Sequence, residues 1–278
     1  MKRTLLLCML VAIGCKKEPD GDTKKPDGDG DGPPAVKVDT SVPQEPDPPE
    51  IAAGAKQYLM GDYEAAIATL QPLFADLKER NQYRASALAG TWLALAHAES
   101  VFENGKEPAQ WAASIAESTE DKDVDNAAKL AMAAYLIGNE EFDNAASSLD
   151  GAGTAKDQGI VVMTHLLRAE ALIGAAFGHG DEGDTLKDPA KLEVAKQAYD
   201  AAAGAAKGYA AEQLFRGRIE EGYAALADYQ KKKEEVCTHA GASIEAFKAE
   251  GATRLLEGPS KLATANKCAI PGLEDATP

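Results

Sequence analysis

The sequence predicts an all-α protein, and three observations carry that prediction. The 278-residue chain is 45% hydrophobic but only 6% aromatic, so its core must be built mainly from Ala and Leu, both strong helix formers. Apolar residues recur at spacings of three and four, the period of an amphipathic helix. No stretch shows the strict alternation of a half-buried strand. The acidic balance adds an exclusion. With a net charge of −16, a pI near 4.7 and no basic stripe, the chain is not expected to bind nucleic acid, which needs clustered Lys and Arg.

The elements follow in order. "MKRTLLLCMLVAIGC" has a basic start at Lys2 and Arg3, an apolar run from Leu5 to Ile13, then Gly14 and Cys15. The run is shorter than the roughly 20 residues that cross a bilayer. A basic start, a short apolar core and a small boundary residue describe a secretory signal peptide over 1–14. "AIGC" resembles the bacterial lipobox in Gly14 and Cys15 and departs from its commonest pattern in Ala12 and Ile13. The resemblance implies a bacterial lipoprotein: cleavage before Cys15, acylation of its thiol and new amino group, and a membrane anchor in the cell envelope. The alternative is a signal peptide whose cysteine has no such role. Lys16, where an Asp would imply inner-membrane retention, points to the outer membrane. Loss of Lys2 and Arg3 leaves 29 − 2 = 27 basic against 45 acidic residues, a mature charge of −18. No later stretch is read as approaching transmembrane length.

Residues 15–50 read as the lipidated cysteine and a disordered tether. Pro19, Pro26, Pro33, Pro34, Pro43, Pro46, Pro48 and Pro49 stand among acidic residues, with too little apolar surface to offset ordering. "DGDGDG" (27–32) supplies hard oxygen ligands, but Val38 stands where an EF-hand loop needs Glu, and Pro33-Pro34 block the exit helix. A solvated acidic spacer is the better reading.

From residue 51 the pattern becomes helical. In "IAAGAKQYLMGDYEAAIATL", Gly54 lies on a first helix, Gly61-Asp62 makes a turn, and Tyr63, Ala66 and Leu70 follow on a second. "AKLAMAAYLIGNEEFDNAASSL" repeats the arrangement with Gly138, Phe142, Ala145 and Leu149, with one extra residue in the turn. A looser copy pairs "HLLRAEALIGAAFG" with "AKLEVAKQAYDAAAG", and a further pair contains Trp92 and Trp111, both read as core. These residues resemble the tetratricopeptide repeat, strongly in the first copy. The resemblance implies antiparallel hairpins stacked as a solenoid over 51–206, with Ala66, Ala112, Ala145 and Ala195 equivalent. Pro72 is a departure, expected to kink or end its helix. The family's carboxylate clamp is not expected, since the corresponding face carries Ile51 and Ala55.

Residues 207–278 form C-terminal helices. Phe215, Ile219, Tyr223 and Leu226 predict one long helix over 209–236, ended by "QKKKEEV"; two shorter helices follow near 243–257 and 259–265, broken at Gly258-Pro259. Once Cys8 leaves and Cys15 is acylated, Cys237 and Cys268 are the mature chain's two thiols. An even count in an exported protein points to a disulfide. Free thiols and a zinc site that adds His239 are the alternatives, and a single residue between Cys237 and His239 is not zinc spacing.

No serine-nucleophile, phosphate-loop, dinucleotide or zinc-protease motif occurs. "GAGTAK" (151–156) lacks the further glycines and preceding strand of a phosphate loop. His97 and His165 read as partly buried helix residues. "HGDEGD" gathers His179, Asp181, Glu182 and Asp184, a weak metal candidate better read as a polar insertion. No enzyme and no cofactor are expected. The expected function is a membrane-anchored scaffold or assembly subunit binding an envelope protein or peptide. The alternative is a peptide- or small-ligand-binding lipoprotein, which a closed pocket with convergent polar groups would favour over an open groove.

Overall fold

The structure, a computed structural model, describes residue 39 and residues 41–152, 155–178 and 185–270. Among these the chain is all-helical apart from one minimal strand pair, with eleven α-helices packed as sequential pairs. The helices are α1 (Pro49–Leu59), α2 (Tyr63–Glu79), α3 (Tyr83–Ala98), α4 (Lys106–Ser118), α5 (Lys122–Gly138), α6 (Phe142–Ser148), α7 (Gln158–Ala176), α8 (Pro189–Ala206), α9 (Glu212–Tyr229), α10 (Lys233–Ala249) and α11 (Glu257–Ala265). Short 3₁₀ turns at Phe102–Gly105 and Thr253–Leu256 lead into α4 and α11. Each helix packs on the next, and α3 and α5 also touch their odd-numbered neighbours, so the odd helices form an inner layer.

A single turn geometry joins many of these helices. After α1, α2, α5, α9, α10 and α11 a left-handed residue follows the C-cap: Gly61, Asn81, Glu140, Lys231, Gly251 and Lys267. In each case the next N–H reaches back five residues, as Asp62 N–H does to Gln57 O and Cys268 N–H to Ala263 O, so the last carbonyls are satisfied. Two sequence expectations change here. The α5–α6 turn has no extra residue, because Glu140 takes the place of Gly61 while Gly138 remains helical. The helix predicted over 209–236 is two helices. Lys231 makes the break between them without Gly or Pro, which is why periodicity ran through it.

Other differences have equally local causes. Pro72 does not end α2: it and Ala68, whose carbonyl it leaves unbonded, both face solvent, so water can serve that carbonyl. Gly258 and Pro259 do not break a helix. They occupy the first turn of α11, where a missing N–H costs nothing. The preceding helix is α10, ending at Ala249. A strand pair does occur, β1 (Phe177–Gly178) antiparallel to β2 (Thr185–Leu186); two residues are too few to leave an alternating pattern. Contrary to expectation, α7 is long and apolar enough to cross a membrane, yet 67% of it is buried against its neighbours, as befits a core helix. Residues 41–48, which composition assigns to the tether, lie on the α2–α3 turn. Gln82 Nε2 donates to Pro43 O, Glu45 N–H to Gln82 Oε1, and Arg84 pairs with Asp47.

The core is alanine-rich as composition implies. Ala66, Ala112, Ala145 and Ala195, on successive even-numbered helices, are all fully buried. Close approach then depends on glycine. A Cβ on Gly54 would collide with Leu70, one on Gly174 with the Phe142 ring, and one on Gly217 with the Phe247 ring. Trp92 is buried beside Tyr58, while Trp111 is half-buried and donates to Ser86 Oγ at 2.9 Å.

The two ends of the stack meet. Leu255 would lie 2.7 Å from a Cβ on Gly61, and Arg254 pairs with Asp62 at 2.9 Å and Glu64 at 2.7 Å. Arg218 of α9 donates to Tyr58 O at 3.2 Å and its guanidinium lies 5.0 Å from the Tyr58 ring. These side-chain contacts draw the two ends of the inner layer together around a partly open space.

Candidate functional site

Inside that closure lies a cavity of about 390 Å³. Its wall comes largely from the inner helices: Tyr58 from α1, Leu95 from α3, Ile137 from α5, Leu167 and Glu170 from α7, Arg218 and Glu221 from α9. Glu99 caps α3 and Tyr199 enters from α8. Tyr63 of α2 completes the aromatic side.

Glu99, Glu170, Glu221 and Arg218 are deep in the protein yet keep partial exposure, because their free surface faces the cavity and not bulk water. Among the described residues, no ion pair within 4 Å and no side-chain hydrogen bond engages the three carboxylates. Burial pushes Glu170 up to about 8, with the charge of Glu99 adding and Arg218 opposing. Burial pushes Glu221 up to about 7 against the pull of Arg218, and raises Glu99 in the same way. Arg218 is held charged. Burial works against its charge, but the acidic groups around it outweigh that, Glu99 and Glu170 among them. Burial raises Tyr58, Tyr63 and Tyr199 well above the ordinary phenol range, so all three are neutral rings.

The rim is exposed and internally balanced. Arg254 is matched by Asp62 and Glu64, and Lys261 by Glu257 at 2.6 Å. A second hollow, about 460 Å³, lies outside the ring between Phe74, Trp111 and His97. Its lysine, Lys78, is already over both rings and paired with Glu107. His97 is buried with Nδ1 unpartnered, and burial lowers its basicity; burial and then Arg168 do the same to His165.

The sequence-predicted residues divide cleanly. Gly54, Gly61, Tyr63, Ala66, Phe142 and Ala145 lie at the helix–helix seams or turns read for them. Gly138 instead lies against Phe102, in the helix. Tyr63 also faces the cavity. Cys237 and Cys268 form a disulfide with a Cα–Cα distance of 5.3 Å, which ties the end of α11 to the second turn of α10. His239 is not a zinc ligand there: it contacts Glu220 at 2.6 Å. Cys15, the "DGDGDG" stretch and His179, Asp181, Glu182 and Asp184 lie outside the described residues. Among those described, no three His, Cys, Asp or Glu side chains gather as a metal-binding group. Glu99, Glu170, Arg218 and Glu221 were not singled out from sequence. The available signal was Glu170 itself, a carboxylate set among the apolar residues of "HLLRAEALIGAA".

No family model, no curated protein and no solved structure matches this chain.

Proposed function

We propose that this chain is a non-catalytic envelope lipoprotein of tetratricopeptide-like architecture that binds a small ligand in its central cavity. One observation carries the reading: the inner helices enclose a space of about 390 Å³ with a few polar groups converging on aromatic walls, the form of a small-ligand site. A scaffold that grips an extended partner would use an open inner face, and the Arg254–Asp62 and Arg254–Glu64 contacts lie across that face. The alternative expectation from sequence is thus favoured over the first. Cys15 supplies the anchor and residues 15–40 the spacing from the membrane.

Two experiments test this. Cys15→Ser should move the protein from the detergent to the aqueous phase on cloud-point separation; retention in detergent would remove the anchor. Thermal unfolding against a panel of small cations, anions and neutral solutes should find compounds that stabilise the wild type but not Ala98→Trp, which fills the cavity and whose helix content circular dichroism checks. No differential stabilisation by any compound would remove the ligand site.

A further inference from the structure

Accepting that the cavity is a ligand site, its wall specifies the ligand's charge. Of the charged residues lining it, Glu64, Glu99, Glu170, Glu221 and Glu257 face Arg218, Arg254 and Lys261, an excess of 5 − 3 = 2 carboxylates. The rim pairs cancel, so inside stand three carboxyl groups, held toward their neutral form by burial, against one guanidinium, and an entering cation would draw them into the ionised form. Arg218 donates through one terminal nitrogen to Tyr58 O at the C-terminal end of α1 and stacks on its ring, while its Nε has no partner among the described residues. Two more helices, α3 and α5, end at the wall, at Ala98 and Gly138. Helix C-termini carry partial negative charge, while the N-termini of α2 and α11, at Tyr63 and Glu257, bring the opposite sign to the rim. Tyr58 and Tyr199 are buried behind the wall, and the partly exposed ring of Tyr63 offers a π face, which attracts cations. A metal ion does not fit this wall, since no three carboxylates come within reach of one centre. An extended cation carrying charges at separated points does.

We infer that the cavity binds an organic cation with two or more protonated amines: alkylammonium groups at Glu170 and Glu221, and the methylene chain between them against the apolar wall and the Tyr63 ring. The groups facing Glu170 and Glu221 are Glu99 from the end of α3, Arg218 from α9, Tyr58, Tyr63 and Tyr199, with Glu64, Arg254, Glu257 and Lys261 at the rim. Before binding, burial keeps Glu170 protonated and Glu221 partly so at neutral pH. A bound ammonium favours both carboxylates ionised, so each binding event releases protons and affinity rises from pH 6 to pH 8. Free diamines and the lysine side chains of a peptide share this chemistry.

Titration calorimetry on the mature chain at physiological salt separates the cases. The probes are putrescine, spermidine and tetralysine, run at pH 6 and pH 8 on wild type and Glu170→Gln/Glu221→Gln. Expected is binding at pH 8 that weakens tenfold or more at pH 6 and tenfold or more in the double variant, with heats at pH 7 that depend on the buffer's ionisation enthalpy. Tighter binding of spermidine than of tetralysine identifies a free amine, and the reverse identifies a peptide's lysines. Equal affinity in the double variant would overturn the inference, because it reports only the acidic outer surface. If the amines fail while a neutral or anionic panel compound stabilises wild type over Ala98→Trp, the cation class falls and the ligand cavity stands. If nothing binds, both fall.

Discussion

The seams between helices and the wall of the central cavity are built by the same stacked helices, yet they follow opposite rules. At the seams, Ala66, Ala112, Ala145 and Ala195 are fully buried and glycines accept rings from the facing helix. At the cavity wall, three carboxylates are carried deep into the protein with no side chain bonded to them among the described residues. Burying an ionisable group without a partner costs stability, and the group answers by holding its proton. The lesson is that the apolar seams carry the stability that the unpartnered wall diminishes. A wall that weakens the fold is more readily understood as serving a ligand than as serving the fold.

That contrast can be broken or sharpened by measurement. The largest effect is expected at the outer end of the stack. Cys237→Ser/Cys268→Ser releases a loop of 31 positions and should lower the unfolding free energy by about 3.5 kcal/mol on the chain-entropy account, read by urea titration. Next comes a seam. Gly217→Ala forces the Phe247 ring aside and should cost about 2–3 kcal/mol, with partial rescue by Phe247→Leu; a tolerated alanine would mean the seams are looser than described.

The wall should respond in the opposite sense. The folded-state pKa of Glu170 and Glu221 is raised above the ordinary 4.5, to about 8 and about 7. The stabilisation that depends on their protons is therefore full below pH 4.5 and is lost as pH rises through about 8. After allowance for water in the cavity, wild type should lose on the order of 1–2 kcal/mol across that window. Glu170→Gln/Glu221→Gln should flatten the profile and be the more stable protein at pH 8; a variant less stable than wild type there would show that the carboxylates support the fold. Smallest is the turn effect. Glu140→Gly relieves a left-handed non-glycine residue (φ 63°) and should gain about 0.3–1 kcal/mol, read as a shift of the urea midpoint at constant slope.

The seams were legible in the sequence and the wall was not. Helical spacing and small residues mark Ala66, Ala145 and Gly54 because a seam is a local repeat: each pair of helices carries its own copy of the pattern. The disulfide was legible from cysteine arithmetic. The turn positions were half-legible, since Gly61 announces itself while Glu140 and Lys231 adopt the same conformation with residues that carry no turn signal. The cavity depends on residues at the end of α3 and within α7 and α9, far apart in the chain, and of these only Glu170, set among apolar neighbours, stands out in the sequence. Only when the stack bends until Arg254 reaches Asp62 do they face one another. Curvature accumulates over many small inter-helix rotations, and no single window of sequence states it.

That same closure alters how the molecule can come apart. An open array of helical pairs gains or sheds end units one at a time, because each unit touches only its neighbours. Here the first pair rests on residues about 190 positions later, through Arg254 and Glu64, so removing either end exposes the other. Fraying at one end is then coupled to fraying at the other, weakly, because the joining ion pairs are exposed. A chain emerging N-terminus first from the ribosome completes these contacts only when the segment from Thr253 onward has been made, and any earlier cut leaves the first hairpin without them.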